Sequence, residues 1–153
     1  MDNSKSLTRA RSSIGDAAVD GLLHGAIAGG VMALYLIVIG VAMGAGLAAT
    51  LSAFDLGQGI SPVRGMLIHL AVAAIYGMVF SLVYRLIVRR RIGRIGNAII
   101  GLLYGLLLWL IAQVAFAAGV HAALSSLPTG YLAVAHGIYG LLLGWLIGRA
   151  SVV

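Results

Sequence analysis

The sequence predicts an all-α protein, a four-transmembrane-helix bundle. Four long apolar stretches, Gly21–Leu51, Gly65–Val88, Ile95–Val120 and Gly130–Ile147, cover nearly the whole chain. A helix needs about 20 apolar residues to cross a bilayer, and only helices satisfy their own backbone inside lipid without neighbours. No acidic residue lies inside any of the four stretches.

Composition supports this class. Of 153 residues 61% are hydrophobic and 9% are charged, and the mean hydropathy is +1.08. A soluble domain would be nearer a quarter charged. The chain reads as a polar cytoplasmic tail, 1–12, and one membrane domain, 13–153, with spans near 21–48, 62–88, 95–120 and 129–148. Cysteine is absent, which excludes disulfides, thiolate metal sites and cysteine nucleophiles. The net charge of +6 has a topological explanation, so no nucleic-acid partner is expected.

The first helix has a start signal at Ser13, where Asp16 completes a capping box. The polar segment before it is too long for a signal peptide. Span one is too long for one crossing. Gly21–Leu51 would rise about 46 Å as a single helix, against a hydrocarbon thickness of about 30 Å. It must tilt, protrude or break, and Gly40, Gly44 and Gly46 near its outer end are compatible with a break or a surface-lying turn. Span two opens at Ser61-Pro62 and span four at Leu127-Pro128, since proline suits the first helical turn. Short loops make consecutive helices antiparallel neighbours.

The cations set the orientation. Lys5, Arg9, Arg11, Arg85, Arg89, Arg90, Arg91, Arg94 and Arg149 share one face, and only Arg64 falls on the other. The positive-inside rule places both termini and the 85–94 loop in the cytoplasm. Arg89, Arg90, Arg91 and Arg94 would then meet lipid headgroups.

An internal repeat is visible. Gly21-Leu-Leu-His-Gly25 parallels Gly101-Leu-Leu-Tyr-Gly105, and Ile75-Tyr-Gly77 parallels Ile138-Tyr-Gly140. The offsets are 80 and 63, which a longer first hairpin explains. A duplicated helical hairpin and a chance match both remain open. Glycines also recur four apart: Gly21, Gly25 and Gly29; Gly101 and Gly105; Gly140, Gly144 and Gly148. Residues at that spacing share a helix face, and small faces let membrane helices approach closely. The rows serve either packing inside the bundle or contact with another protein.

Polar side chains inside the spans are few. His69 lies about 10 Å from the Pro62 end of span two, and His136 about 12 Å from the Pro128 end of span four. The two helices run parallel, so the rings share a depth. Tyr76, Tyr139, Trp109 and Gln113 complete a polar seam. His69 and His136 are read first as structural, donating interhelical hydrogen bonds. A second reading has them ligate haem b axially. A third adds His121 to form a divalent metal site or a proton relay. No cofactor is the first expectation. His24 stands apart, near the opposite end.

His69…Ile75-Tyr-Gly77, Gly101…Gly105…Trp109 and Pro128…His136-Gly-Ile-Tyr-Gly140 resemble the pattern of the YagU-like small bacterial inner-membrane proteins over about 61–149. The chain departs from that family in lacking the acidic residues the family pattern would place near its loops. The resemblance implies a bacterial inner membrane and an unassigned biochemical role, and a link with acid tolerance there would fit outward histidines.

No intramembrane carboxylate or mid-span proline marks a transporter, and no Ser–His or His–Glu–His constellation marks a protease. The sequence therefore points to a non-enzymatic membrane protein. The first expectation is an accessory or structural subunit, packed against itself or other membrane subunits. Alternatives are a haem- or metal-binding bundle and a pH-responsive channel or stress protein.

Overall fold

A computed structural model describes residues 13–55, 61–87, 92–118 and 127–150. The tail before Ser13, the arginines at 89–91 and His121 lie outside the described residues. Five helices follow in order: α1 Ile14–Ala42, α2 Leu47–Ser52, α3 Pro62–Ile87, α4 Arg94–Ala117 and α5 Thr129–Ala150. No strand occurs among the described residues. The four long helices are each long and apolar enough to span a membrane. Leu23, Ile27, Leu67, Leu103 and Val134 stand exposed along their outer faces, which suits lipid and not water. This is an integral membrane protein built as an all-α four-helix bundle.

The local signals act as expected. Ser13 accepts from the Asp16 N–H at 3.0 Å, and Asp16 accepts from the Ser13 N–H at 2.6 Å. Together they form the capping box that starts α1. The overlong first span is broken. Gly44 takes φ +90°, a left-handed conformation that glycine adopts without penalty. Ala45 N–H then reaches back to Gly40 at 2.9 Å and Gly44 N–H to Val41 at 3.0 Å, a Schellman cap. The chain turns and forms α2, which folds back onto α1 and α3. Sequence reasoning placed a break here but left α2 partly inside a loop.

Each glycine row meets another helix of the bundle. A Cβ at Gly25 would lie 2.6 Å from the Ala73 carbonyl oxygen and 2.8 Å from Gly77 Cα. A Cβ at Gly140 would lie 2.9 Å from Gly105 Cα, and one at Gly144 would lie 2.9 Å from Gly101 Cα. Gly148 is closed by the Asn97 side chain. Thus α1 packs on α3, and α4 on α5, with backbones nearly touching. Of the two roles open to these rows, packing inside the bundle is the one these contacts show.

These contacts repeat with the sequence offsets. Gly21 and Gly25 meet Gly77 as Gly101 and Gly105 meet Gly140. Gly25 meets the carbonyl of Ala73 as Gly105 meets that of His136. The two hairpins are therefore alike in packing as well as in sequence.

The helices surround a core in the order α3, α1, α5, α4. The repeat would make the α1–α5 seam equivalent to the α3–α4 seam, yet the two differ. Along α1–α5 the backbones approach closely, and Ala28, Leu36, Ala135, Leu143 and Ile147 are buried. Between α3 and α4 backbone approach is slight. The corresponding residues there include Val72, Phe80, Tyr84 and Phe116, with larger side chains at several positions. Long side chains bridge the gap in its Ser13-end half. Tyr84 donates to Asn97 Oδ1 at 2.6 Å and Tyr104 to the Tyr76 carbonyl at 2.9 Å. The Phe80 and Tyr104 rings meet at a tilt of 44°, with centroids 4.9 Å apart.

Candidate functional site

Where those bridges stop, a cavity of ≈ 290 Å³ occupies the Pro62-end half of the open seam. Met32 and Leu36 of α1 form its back wall. His69, Val72 and Tyr76 come from α3, Trp109, Ile111 and Phe116 from α4, and His136 and Tyr139 from α5. Val72, Tyr76 and Ile111 also stand on the outer surface, so the cavity opens sideways between α3 and α4, toward the lipid.

Phe54 closes it near the Pro62 end. It follows α2 directly, is 3% exposed, and lies with its ring centroid 4.5 Å from that of His69. Two ties hold it. Gly65 admits the Leu51 carbonyl against the α3 backbone. Asp55, the next residue, accepts the Arg64 guanidinium through Nε at 2.9 Å and Nη2 at 2.6 Å. Asp55 also accepts the Ser61 N–H at 3.3 Å. This explains the one cation on its face: Arg64 neutralises a carboxylate that is itself buried.

His69 and His136 line the same cavity, as their matched depths predict. His69 Nε2 is 3.0 Å from the Gly29 carbonyl oxygen. A carbonyl only accepts, so Nε2 carries the hydrogen and the neutral ring keeps a lone pair on Nδ1. This is an interhelical bond, from α3 to α1, as expected for a structural histidine. His136 differs. Its Nδ1 is 2.8 Å from the Leu132 carbonyl oxygen, one turn back on its own helix. The expected interhelical bond is replaced by one within α5. Its neutral ring keeps a lone pair on Nε2.

Trp109 adds the opposite polarity. Its indole N–H is buried and has no hydrogen-bond partner among the described residues. The expected companion Gln113 bonds Thr129 Oγ1 instead, joining the ends of α4 and α5. Tyr139 spends its hydroxyl on the Ala73 carbonyl at 2.7 Å. The cavity thus offers two imidazole acceptors inside an aromatic and aliphatic wall, and that wall also holds the closed-off indole N–H of Trp109.

Haem ligation through Nε2 of both histidines would require His69 to release Gly29. Among the described residues no group of three His or acidic side chains has metal-binding geometry; His121 lies outside them. Of the cationic lipid-headgroup candidates, only Arg94 is described, at the first position of α4. It shares the Ser13 end with Arg149 and with Arg85, which donates to the Ser13 carbonyl. Sequence reasoning missed Asn97, Phe54 and the Asp55–Arg64 pair. For Asn97 the available signal was an amide at the edge of an apolar stretch. For the pair it was one acid and one base on the same face.

No family model matches the chain, and no curated protein or solved structure matches it significantly.

Proposed function

We propose that this is a non-enzymatic membrane protein that binds a lipophilic small molecule, taken from the bilayer through the gap between α3 and α4. One observation carries the reading. The cavity is lined by residues of three helices that each keep a polar atom without a partner among the described residues, inside walls that are otherwise apolar. Binding sites are commonly concave and apolar, with a few convergent polar groups. An unpaired buried donor is costly, and a ligand would relieve that cost.

The accessory-subunit reading has less support. It drew on surplus small faces, and those faces are occupied within the bundle. The arginine distribution supports termini on the cytoplasmic side of a cytoplasmic membrane. The cavity would then lie in the outer half of the bilayer.

The test is native mass spectrometry of protein extracted in mild detergent. The expected result is one small lipophile per chain, absent from Ala112→Phe, which fills the cavity from α4. Equal retention by both proteins would place the bound molecule elsewhere and end this reading.

A further inference from the structure

We propose that the ligand class is a lipid-soluble phenol, of the alkylphenol or alkylhydroquinone type. The inference rests on the cavity being a binding site and adds what its polar atoms would select.

The hydrogen-bond polarity is fixed by the fold. His69 gives its one ring hydrogen to Gly29, and His136 gives its own to Leu132. Toward the cavity both neutral rings therefore present acceptors only. Trp109 supplies an N–H and can only donate. A quinone, ketone or ester brings acceptors only, so it leaves the imidazoles unpaired. An ether does the same. A hydroxyl does both: it gives its one hydrogen to one imidazole, and its oxygen can accept from the indole. A cationic head would find no carboxylate among the residues lining the cavity. An anionic head would find two lone pairs facing it.

The walls choose among hydroxyl compounds. Phe54, Tyr76, Trp109, Phe116 and Tyr139 surround the space. Aromatic side chains favour offset or edge-to-face contact with another ring. A phenolic ring fills this space with both hydroxyl and π contacts, while a saturated alcohol has only the first. The lateral opening at Val72 and Ile111 gives an alkyl tail a path into lipid without burying it in the bundle.

The test uses the full chain in detergent micelles and four probes with the same decyl tail: a hydroquinone, its quinone, its dimethyl ether and a cyclohexanol. Calorimetric titration gives affinity, and native mass spectrometry gives stoichiometry. The hydroquinone is expected to bind one per chain, about tenfold or more tighter than each of the others, the difference that one or two hydrogen bonds supply. His136→Leu and Trp109→Phe should each reduce that preference while preserving the melting temperature of the bundle. His136 bonds only within its own helix, so its loss leaves the helix contacts in place. Equal affinity for the hydroquinone and its dimethyl ether, or tighter binding of the quinone, overturns the phenol assignment. Equal affinity for the cyclohexanol overturns the aromatic part of it. No binding of any probe to folded protein overturns it as well. The cavity reading is judged separately, by whether Ala112→Phe abolishes retention of the copurifying lipophile.

Discussion

Tyr139 on α5 donates its phenolic hydrogen to the backbone carbonyl of Ala73 on α3, 2.7 Å away. The bond crosses the bundle between the two hairpins. Ala73 also lies where α1 presses on α3 at Gly25 and Gly29, so one carbonyl region gathers three helices. Tyr139→Phe keeps the ring and removes the donor. It should destabilise the protein by about 0.5–1.7 kcal/mol, the range for interhelical hydrogen bonds in membranes. Thermal unfolding in detergent reads this, and an unchanged midpoint would mean the bond contributes nothing net.

Adjacent glycines in α1 should behave in opposite ways. A Cβ at Gly29 would collide with Ala73 Cβ, whereas one at Gly30 meets nothing within 4 Å. Gly29→Ala should therefore cost about 1–3 kcal/mol through overpacking. Gly30→Ala should be neutral or stabilise by up to about 1 kcal/mol through helix propensity. Similar melting temperatures for the two variants would contradict the α1–α3 packing described.

Arg64 and Asp55 form a pair with unequal exposure, 49% and 2% at the side chains. Removing the arginine takes away the cation that balances a buried carboxylate; removing both charges leaves none to balance. Arg64→Ala should lower the melting temperature more than the double variant Asp55→Asn/Arg64→Ala does. The same single variant should loosen Phe54 over His69 and speed proteolysis in the 53–61 region. Additive effects of the two substitutions would show that the pair is not coupled.

Orientation follows from charge alone and is open to direct measurement. A reporter fused at Gly93 should signal from the cytoplasm, and one at Ser125 from the opposite side. A non-cytoplasmic signal at Gly93 would invert the topology and move the cavity to the inner half of the membrane.

Much of the fold is legible in the sequence because it depends on local rules. Apolar length gave the four spans, Ser13 and Asp16 gave the first helix start, and the excess length of span one gave its break. The Gly21/Gly25 and Gly101/Gly105 matches marked the surfaces that do pack. The matched depths of His69 and His136 placed the two rings at one level inside the bundle. The cavity itself was not legible. It exists because α3 and α4 stay apart while α1 and α5 close, and that difference depends on side-chain volumes summed across two seams. The direction of each histidine bond was equally hidden, since His69 finds a neighbour's carbonyl and His136 its own helix's. Phe54 looked like the tail of an apolar run, because only the fold-back of α2 brings it over His69.

Two like hairpins would, if arranged with full symmetry, carry two identical clefts or none. Among the described residues the α3–α4 seam is open and the α1–α5 seam closed, because the differences between Val72 and Ala135 and between Phe80 and Leu143 fall on one seam alone. The molecule therefore has a front and a back within the plane of the bilayer. It meets lipid all round its circumference, while its cleft faces a single sector. Any neighbour seated against α3 and α4 would close that opening.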